Sequence, residues 1–142
     1  MKGERRTSNF ERRTSNGEDG RAVWDLEDRL LDFGARIVRL AESLPKGRAG
    51  SHIGGQLLRS GTSPLFNHGE AESAESRADF LHKLHISLKE LRETHRCLKL
   101  IQRVPLVRPA SKLDPLVLEA DELVRIFVTS VRTAARGAPA SE

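Results

Sequence analysis

The stretch that decides the fold is Ser76–Arg103, which reads SRADFLHKLHISLKELRETHRCLKLIQR. Ser76 is a candidate N-cap, and Asp79 follows three residues later, as in a capping box. Apolar side chains then recur at intervals of three, four or seven, which places them on one face of a helix. They are Phe80, Leu84, Leu88, Leu91, Leu98 and Ile101. The stretch therefore predicts one long amphipathic helix whose apolar face packs against other helices.

Two further segments have the same periodicity. The first is predicted to begin near Asp25, with Asp25 as its cap, and to end before Pro45. Its apolar face comprises Leu26, Leu30, Phe33, Ile37, Leu40, Ala41 and Leu44. The second follows a loop at residues 105–114, with Asp114 as cap and Pro115 at the first helical position. Its apolar face comprises Leu116, Ala120, Leu123, Phe127, Val131 and Ala134.

The segment between these helices contains residues that helices usually avoid. After a predicted connection at residues 45–51, Ile53 and Leu57 begin a helical pattern, but three glycines and Pro64 oppose it. We interpret residues 53–71 as a second helix that Pro64 kinks rather than ends, with the turn at residues 73–76. Its small residues then allow close approach to a neighbour. They are Gly54, Gly55, Ser60, Gly61 and Ser63.

Together the segments predict an all-α fold, an antiparallel up-down four-helix bundle with a disordered N-terminal tail. The predicted domains are a basic tail at residues 1–22, the bundle at 23–136 and a frayed C-terminus at 137–142. The tail repeats itself, with ERRTSNF followed by ERRTSNG, and has little apolar surface to bury.

The composition excludes several classes of protein. A single cysteine among 142 residues allows neither an internal disulfide nor a cysteine-based zinc site, and it favours a cytoplasmic location. No apolar run approaches the roughly 20 residues that a membrane span requires, so no membrane partner is expected. The formal net charge of +4 mildly favours an acidic partner such as RNA or DNA. We expect no cofactor and no small-molecule substrate.

Positive charge is concentrated on the long helix. Five cations at intervals of three and four form what we call the basic stripe, namely Lys89, Arg92, Arg96, Lys99 and Arg103. His82 and His85 extend it toward the N-terminus of the helix. A stripe of one sign can contact a phosphate backbone. The alternatives are a solvated face, or pairing with acids of a neighbouring helix such as Glu119, Asp121 and Glu122.

Two constellations could support other chemistry. Ser60, Ser63, His68 and Glu70 suggest a hydrolase, but no Gly-x-Ser-x-Gly motif or preceding strand is present, so we predict no enzyme. His82, His85 and Asp79 could ligate a metal ion, yet three ligands on one exposed helix are a weak signal. We therefore predict no metal site.

The chain resembles the four-helix-bundle family of 23S rRNA intervening-sequence proteins. The residues that match in order and spacing are Arg59–Ser63, Asn67, Glu70–Ala71, Ser76, Asp79–Phe80, Lys83–Leu84, Leu88–Glu90 and Glu93–Thr94. The resemblance implies a bacterial bundle that forms a homo-oligomer, a pentamer in several relatives. The accessory variability determinant proteins of diversity-generating retroelements look similar, which implies nucleic acid or a protein such as a reverse transcriptase as partner. Arg96 and Cys97 stand where relatives often have aromatic residues.

The motif also has a structural interpretation, which we favour over catalysis. Asn67, Glu70 and Asp79 could face Arg59 or Lys83 in a polar network that holds the second helix against the third. Separately, some apolar residues lie outside the main stripes and suggest a second interface, hence self-association, although scattered surface apolar residues are also normal. They are Ile86, Leu100, Val117, Val124 and Val128.

Overall fold

The apolar patterns correspond to four α-helices in the computed structural model, which describes residues 18–137 and the side chains of residues 26–137. The helices are α1 (Glu18–Ser43), α2 (Arg48–Glu72), α3 (Arg77–Arg103) and α4 (Asp114–Arg136). Residues 18–137 contain no β-strand. The predicted all-α class is therefore confirmed, whereas the repeated tail at residues 4–17 lies outside the described residues.

The helices pack in chain order around a square. Each helix contacts the next one, and α4 closes the bundle against α1. The α2–α3 contacts are antiparallel, because Glu70 pairs with Lys83 near the turn while Arg59 pairs with Glu93 further along both helices. The short connections between α1, α2 and α3 leave no other arrangement, since consecutive helices must reverse direction. This is the predicted up-down bundle.

The core contains the residues that the periodicity predicts. Phe33, Ile37, Leu91, Leu123 and Phe127 have no exposed surface. Phe80 and Val131, which the sequence also placed on core faces, are half-buried and pack on the edge of this core. Because burial removes apolar surface from water at roughly 25 cal/mol per Å², this shared core is the main stabilising contribution to the bundle.

Helix α2 runs without interruption through Pro64. In the preceding turn α2 approaches α1 closely, because a Cβ atom added to Gly61 would lie 2.6 Å from Ile37 Cγ2. At the start of the helix, a Cβ atom on Gly50 would lie 1.7 Å from the Pro45 carbonyl oxygen. Two glycines that weaken helix propensity are thus required for close packing.

Three predicted boundaries differ from the structure. Helix α1 begins at Glu18, so Asp25 lies inside it and cannot be its cap. Helix α2 begins at Arg48, within the predicted connection. Asp114 is the first residue of α4 rather than its cap, and its carboxylate accepts a hydrogen bond of 2.9 Å from Gln102 Nε2 instead. A short 3-10 helix at Ala110–Leu113 precedes α4 where a loop was predicted.

A charged clamp joins α1 to α4. Arg29 donates hydrogen bonds of 3.0 and 2.7 Å to the two carboxylate oxygens of Glu119, and one of 2.8 Å to Glu122. The hydrogen bond to Glu119 raises the pKa of the Arg29 guanidinium above its ordinary value, although partial burial opposes this change. The clamp fixes which face of α4 meets α1. Among the described residues, no helix is both long and apolar enough to cross a membrane.

Candidate functional site

The basic stripe lies on the surface of α3. Its five cations are all exposed, as are His82 and His85, while Leu84, Leu91 and Leu98 on the opposite face are buried. At a rise of about 1.5 Å per residue, the stripe from Lys89 to Arg103 is about 21 Å long. This length equals about six nucleotide steps along one strand of a duplex, at 3.4 Å each.

Glu90 and Glu93, the two acids in the middle of α3, are bound to α2. Arg59 donates hydrogen bonds to Glu90 at 3.0 and 3.2 Å and also pairs with Glu93. The side chains of Glu90 and Glu93 are only 15% and 32% exposed, so both carboxylates are directed toward the α2–α3 interface. They are therefore occupied by a cation of another helix and do not neutralise the stripe.

The acids on α4 are also occupied elsewhere. Glu119 and Glu122 pair with Arg29, and Asp121 pairs with Arg125 one turn along its own helix at 3.1 Å. The predicted alternative, in which these acids pair with the stripe, is therefore wrong. Within residues 26–137, no stripe cation forms an ion pair or a side-chain hydrogen bond.

Cys97 lies beside the stripe and beside the ion pairs of Arg59. Burial raises the pKa of the half-buried Cys97 thiol, and the nearby Glu93 carboxylate raises it further, while Arg59 opposes both effects. A raised pKa keeps the thiol protonated at neutral pH, and only the thiolate is a strong nucleophile. Cys97 is therefore a weak nucleophile, and its pKa is sensitive to the charges of Glu93 and Arg59.

The predicted polar motif contributes contacts between α2 and α3, of which the Glu70–Lys83 pair was predicted and the others were not. The hydroxyl oxygens of Ser60 and Thr94 lie 2.9 Å apart in the core, where both residues are fully buried. Lys83 donates a 2.7 Å hydrogen bond to Glu70 across the interface, and this bond raises the pKa of Lys83. Arg59 pairs with Glu90 and Glu93 of α3 rather than with Asn67, Glu70 or Asp79.

The other motif residues act within single helices. Asn67 donates hydrogen bonds to the Ser63 carbonyl and hydroxyl oxygens, at 3.1 and 2.8 Å. These bonds lie in the turn around Pro64. The Asp79 amide donates to the Ser76 hydroxyl at 3.1 Å, which confirms Ser76 as the cap of α3.

The predicted hydrolase constellation is dispersed. Ser60 contacts Thr94, Ser63 contacts Asn67 and Glu70 contacts Lys83, whereas the nearest carboxylate to the His68 imidazole belongs to Glu27. Within residues 26–137, no hydrogen bond joins a serine hydroxyl to His68. The residues of this predicted constellation thus do not form the linked nucleophile and base that a serine hydrolase requires.

Sequence reasoning missed a contact between helices at His68. Glu27 of α1 approaches this histidine, and Glu72 lies one helical turn beyond it. The spacing of His68 and Glu72, four residues apart on α2, is visible in the sequence. The approach of Glu27 is not visible, because it depends on how α1 packs against α2.

These features define a class of protein, a four-helix bundle that presents an exposed, unpaired basic face on its third helix. The family described as 23S rRNA-intervening sequence protein matches residues 24–129. The chain therefore belongs to the family of 23S rRNA-intervening sequence proteins.

A solved structure supports the same assignment. It is the crystal structure of a protein with unknown function from the S23 ribosomal protein family of Bacteroides thetaiotaomicron. The two chains are 34% identical, with a TM-score of 0.71, over 78% of this chain and 97% of the other. No curated protein matches the chain significantly.

Proposed function

We propose that this chain is a non-enzymatic, oligomeric protein that binds RNA or DNA through the basic stripe. The observation that carries the proposal is the state of the stripe, five exposed cations without partners among residues 26–137. The acids that could neutralise it are bound to Arg29, Arg59 and Arg125 instead. A polyanion would find these charges already arranged in a line.

The form of the stripe favours contact with phosphates rather than with bases. The basic stripe contains no aromatic side chain on which a base could stack. Cys97, which follows Arg96 in the chain, is not aromatic either. Cations on one straight helix can follow a backbone, and such contacts carry little sequence information. We therefore propose binding that depends strongly on salt and weakly on sequence.

The experiment compares the wild type with two variants of equal net charge. In the stripe variant, Lys89, Arg92, Arg96, Lys99 and Arg103 are replaced by Gln. In the control variant, three Arg and two Lys at other exposed positions are replaced by Gln, namely Arg39, Lys46, Arg48, Arg108 and Lys112. Loss of binding to a labelled RNA or duplex DNA in the stripe variant alone supports the proposal, and equal affinities for all three proteins refute it.

The proposed self-association rests on apolar residues outside the main stripes, and the structure shows that several of the predicted ones are not free for such a contact. Val117, Val124 and Val128 pack against the core and so belong to the bundle itself. Large apolar side chains are exposed elsewhere, with Phe66 and Leu118 each 65% exposed. Such side chains suit contact with another copy of the chain or with a protein partner.

These exposed side chains favour a second candidate function, a scaffold that recruits a partner such as a reverse transcriptase. The two functions separate in a pull-down with nuclease treatment. A partner that stays bound after the nucleic acid is removed favours the scaffold, whereas one that is lost favours the nucleic-acid-binding function. Light scattering after size-exclusion chromatography measures the oligomeric state, and a monomer would refute self-association.

A further inference from the structure

His68 is a buried polar residue that the polar motif does not use. It is 7% exposed, and its Nδ1 atom has no hydrogen-bond partner among the described residues. The nearest carboxylate oxygen, Glu27 Oε1, lies 3.5 Å away. Buried polar atoms in native proteins nearly always have a partner, so the environment of His68 requires an explanation.

Glu72 is the second feature of this region. It is exposed, it is the last residue of α2, and it forms no ion pair or hydrogen bond with another described residue. A negative charge at the C-terminus of a helix is disfavoured by the helix dipole. Glu70, in the same turn, is compensated by Lys83, whereas Glu72 has no such compensation.

The three side chains converge on one point. The potential ligand atoms of Glu27, His68 and Glu72 all lie within 4.8 Å of one another. Two ligand atoms bound tetrahedrally at about 2.0–2.2 Å from a metal ion lie roughly 3.4 Å apart. The distance of 3.5 Å between His68 Nδ1 and Glu27 Oε1 is close to that value. A cation between the side chains would need only small movements of them.

We propose that Glu27, His68 and Glu72 bind a divalent transition-metal ion of the zinc type. A neutral imidazole and two carboxylates supply one nitrogen and two oxygen ligands, and their charge of −2 balances that of the ion. The nitrogen ligand disfavours Mg²⁺ and Ca²⁺, which take oxygen ligands. The ion gives the orphaned Nδ1 atom a partner and compensates Glu72 at the end of α2.

The surroundings leave room for the rest of the coordination shell. His68 and Glu72 line a mainly apolar cavity of about 570 Å³ at the end of the bundle where α2 turns into α3. Leu26, Ala71 and Phe80 form other parts of its wall. Water in this cavity can complete the shell, as in sites with three protein ligands. Bound metal then joins α1 to the C-terminal turn of α2.

The test is titration of the full chain, without a histidine tag, with Zn²⁺, Mn²⁺ and Mg²⁺ by isothermal calorimetry. Three single variants remove one ligand each, namely Glu27→Gln, His68→Gln and Glu72→Gln. The matched control is the double variant His82→Gln/His85→Gln, which removes two exposed histidines. Circular dichroism verifies that each variant folds. If the buried substitution His68→Gln prevents folding, Glu72→Gln still decides the test, because Glu72 is exposed.

We expect one Zn²⁺ per chain, with Mg²⁺ bound far more weakly. Each ligand variant should lose at least about tenfold in Zn²⁺ affinity, since even residues that only orient a ligand are worth 10–100-fold. The control should bind like the wild type, and at the same Zn²⁺ concentration the Tm of the wild type should rise more than that of Glu72→Gln. The proposal is overturned if the wild type does not bind Zn²⁺, or if Glu72→Gln binds it as tightly as the wild type does.

Discussion

The hydroxyl oxygens of Ser60 and Thr94 lie 2.9 Å apart, and this pair joins α2 to α3 inside the core. The Thr94 hydroxyl also lies 2.8 Å from the Glu90 carbonyl oxygen, one turn earlier on α3. Glu90 itself is bound to Arg59, the neighbour of Ser60 in the chain. Ser60, one of the residues that looked catalytic, thus belongs to a polar network between two helices.

A double-mutant cycle measures this pair. We expect Ser60→Ala and Thr94→Val each to lower the free energy of unfolding by about 1–2 kcal/mol, because each leaves the other hydroxyl less well bonded in a dry core. The double variant should be more stable than the sum predicts, with a coupling energy of about 1 kcal/mol. Thr62→Ala is the control, since Thr62 bonds only within α2, and it should change stability by less than about 0.5 kcal/mol. Additive effects in urea denaturation would contradict the pair.

Substitutions of Gly61 and Gly55, both on α2, test how closely this helix approaches α1. Gly61→Ala should destabilise the protein by about 1–3 kcal/mol, because the added Cβ atom overlaps the Ile37 side chain. Gly55→Ala should stabilise it by about 0.5–1 kcal/mol, since a Cβ atom there meets nothing within 4 Å and alanine favours the helix. Thermal unfolding measures both effects. Equal changes in Tm would mean that α2 does not approach α1 at Gly61.

The clamp between α1 and α4 predicts unequal roles for its two acids. Glu119 binds Arg29 through both carboxylate oxygens and is 20% exposed, whereas Glu122 makes one contact and is 65% exposed. We expect Glu119→Gln to cost about 1 kcal/mol of stability and Glu122→Gln less than about 0.5 kcal/mol. Chemical denaturation at low and high salt measures the difference. The prediction is wrong if Glu122→Gln is the more destabilising change.

The pKa of the half-buried Cys97 thiol is sensitive to the charges at the α2–α3 interface. Glu93 raises the pKa of its thiol and Arg59 lowers it. Glu93→Gln should therefore lower the thiol pKa and speed alkylation by iodoacetamide at pH 8, whereas Arg59→Gln should raise the pKa and slow it. Rates measured across a pH series give the pKa directly. Changes in the same direction for both variants would exclude the proposed electrostatic cause.

The periodicity of apolar residues predicted most of the fold, for a physical reason. Leu84, Leu91 and Leu98 recur at helical spacing and are all buried, because a surface helix must bury one face. The N-terminus of α1 was predicted less well, because Asp25 has the residue type of a cap and yet lies inside the helix. Local residue type alone does not determine where a packed helix begins.

The candidate site could be predicted less well than the fold, because its properties depend on contacts between helices. The spacing of Lys89, Arg92 and Arg96 placed them on one face from the sequence alone. Within residues 26–137, the stripe lacks partners because Arg29 binds Glu119 and Arg59 binds Glu90. These contacts join residues that are distant in the sequence, so they could not be predicted from it. Periodicity describes one helix at a time and contains no information on which side chains meet across an interface.

The salt dependence of nucleic-acid binding tests the central claim most directly. If all five stripe cations contact phosphates of a duplex, a plot of log K against log salt concentration should have a slope of about −4.5, or about −0.9 per contact. We expect the wild type and the control variant to keep a steep slope, and the stripe variant to lose most of it together with its affinity. Because both variants have the same net charge, three equal slopes would contradict the claim that the basic stripe is the binding surface.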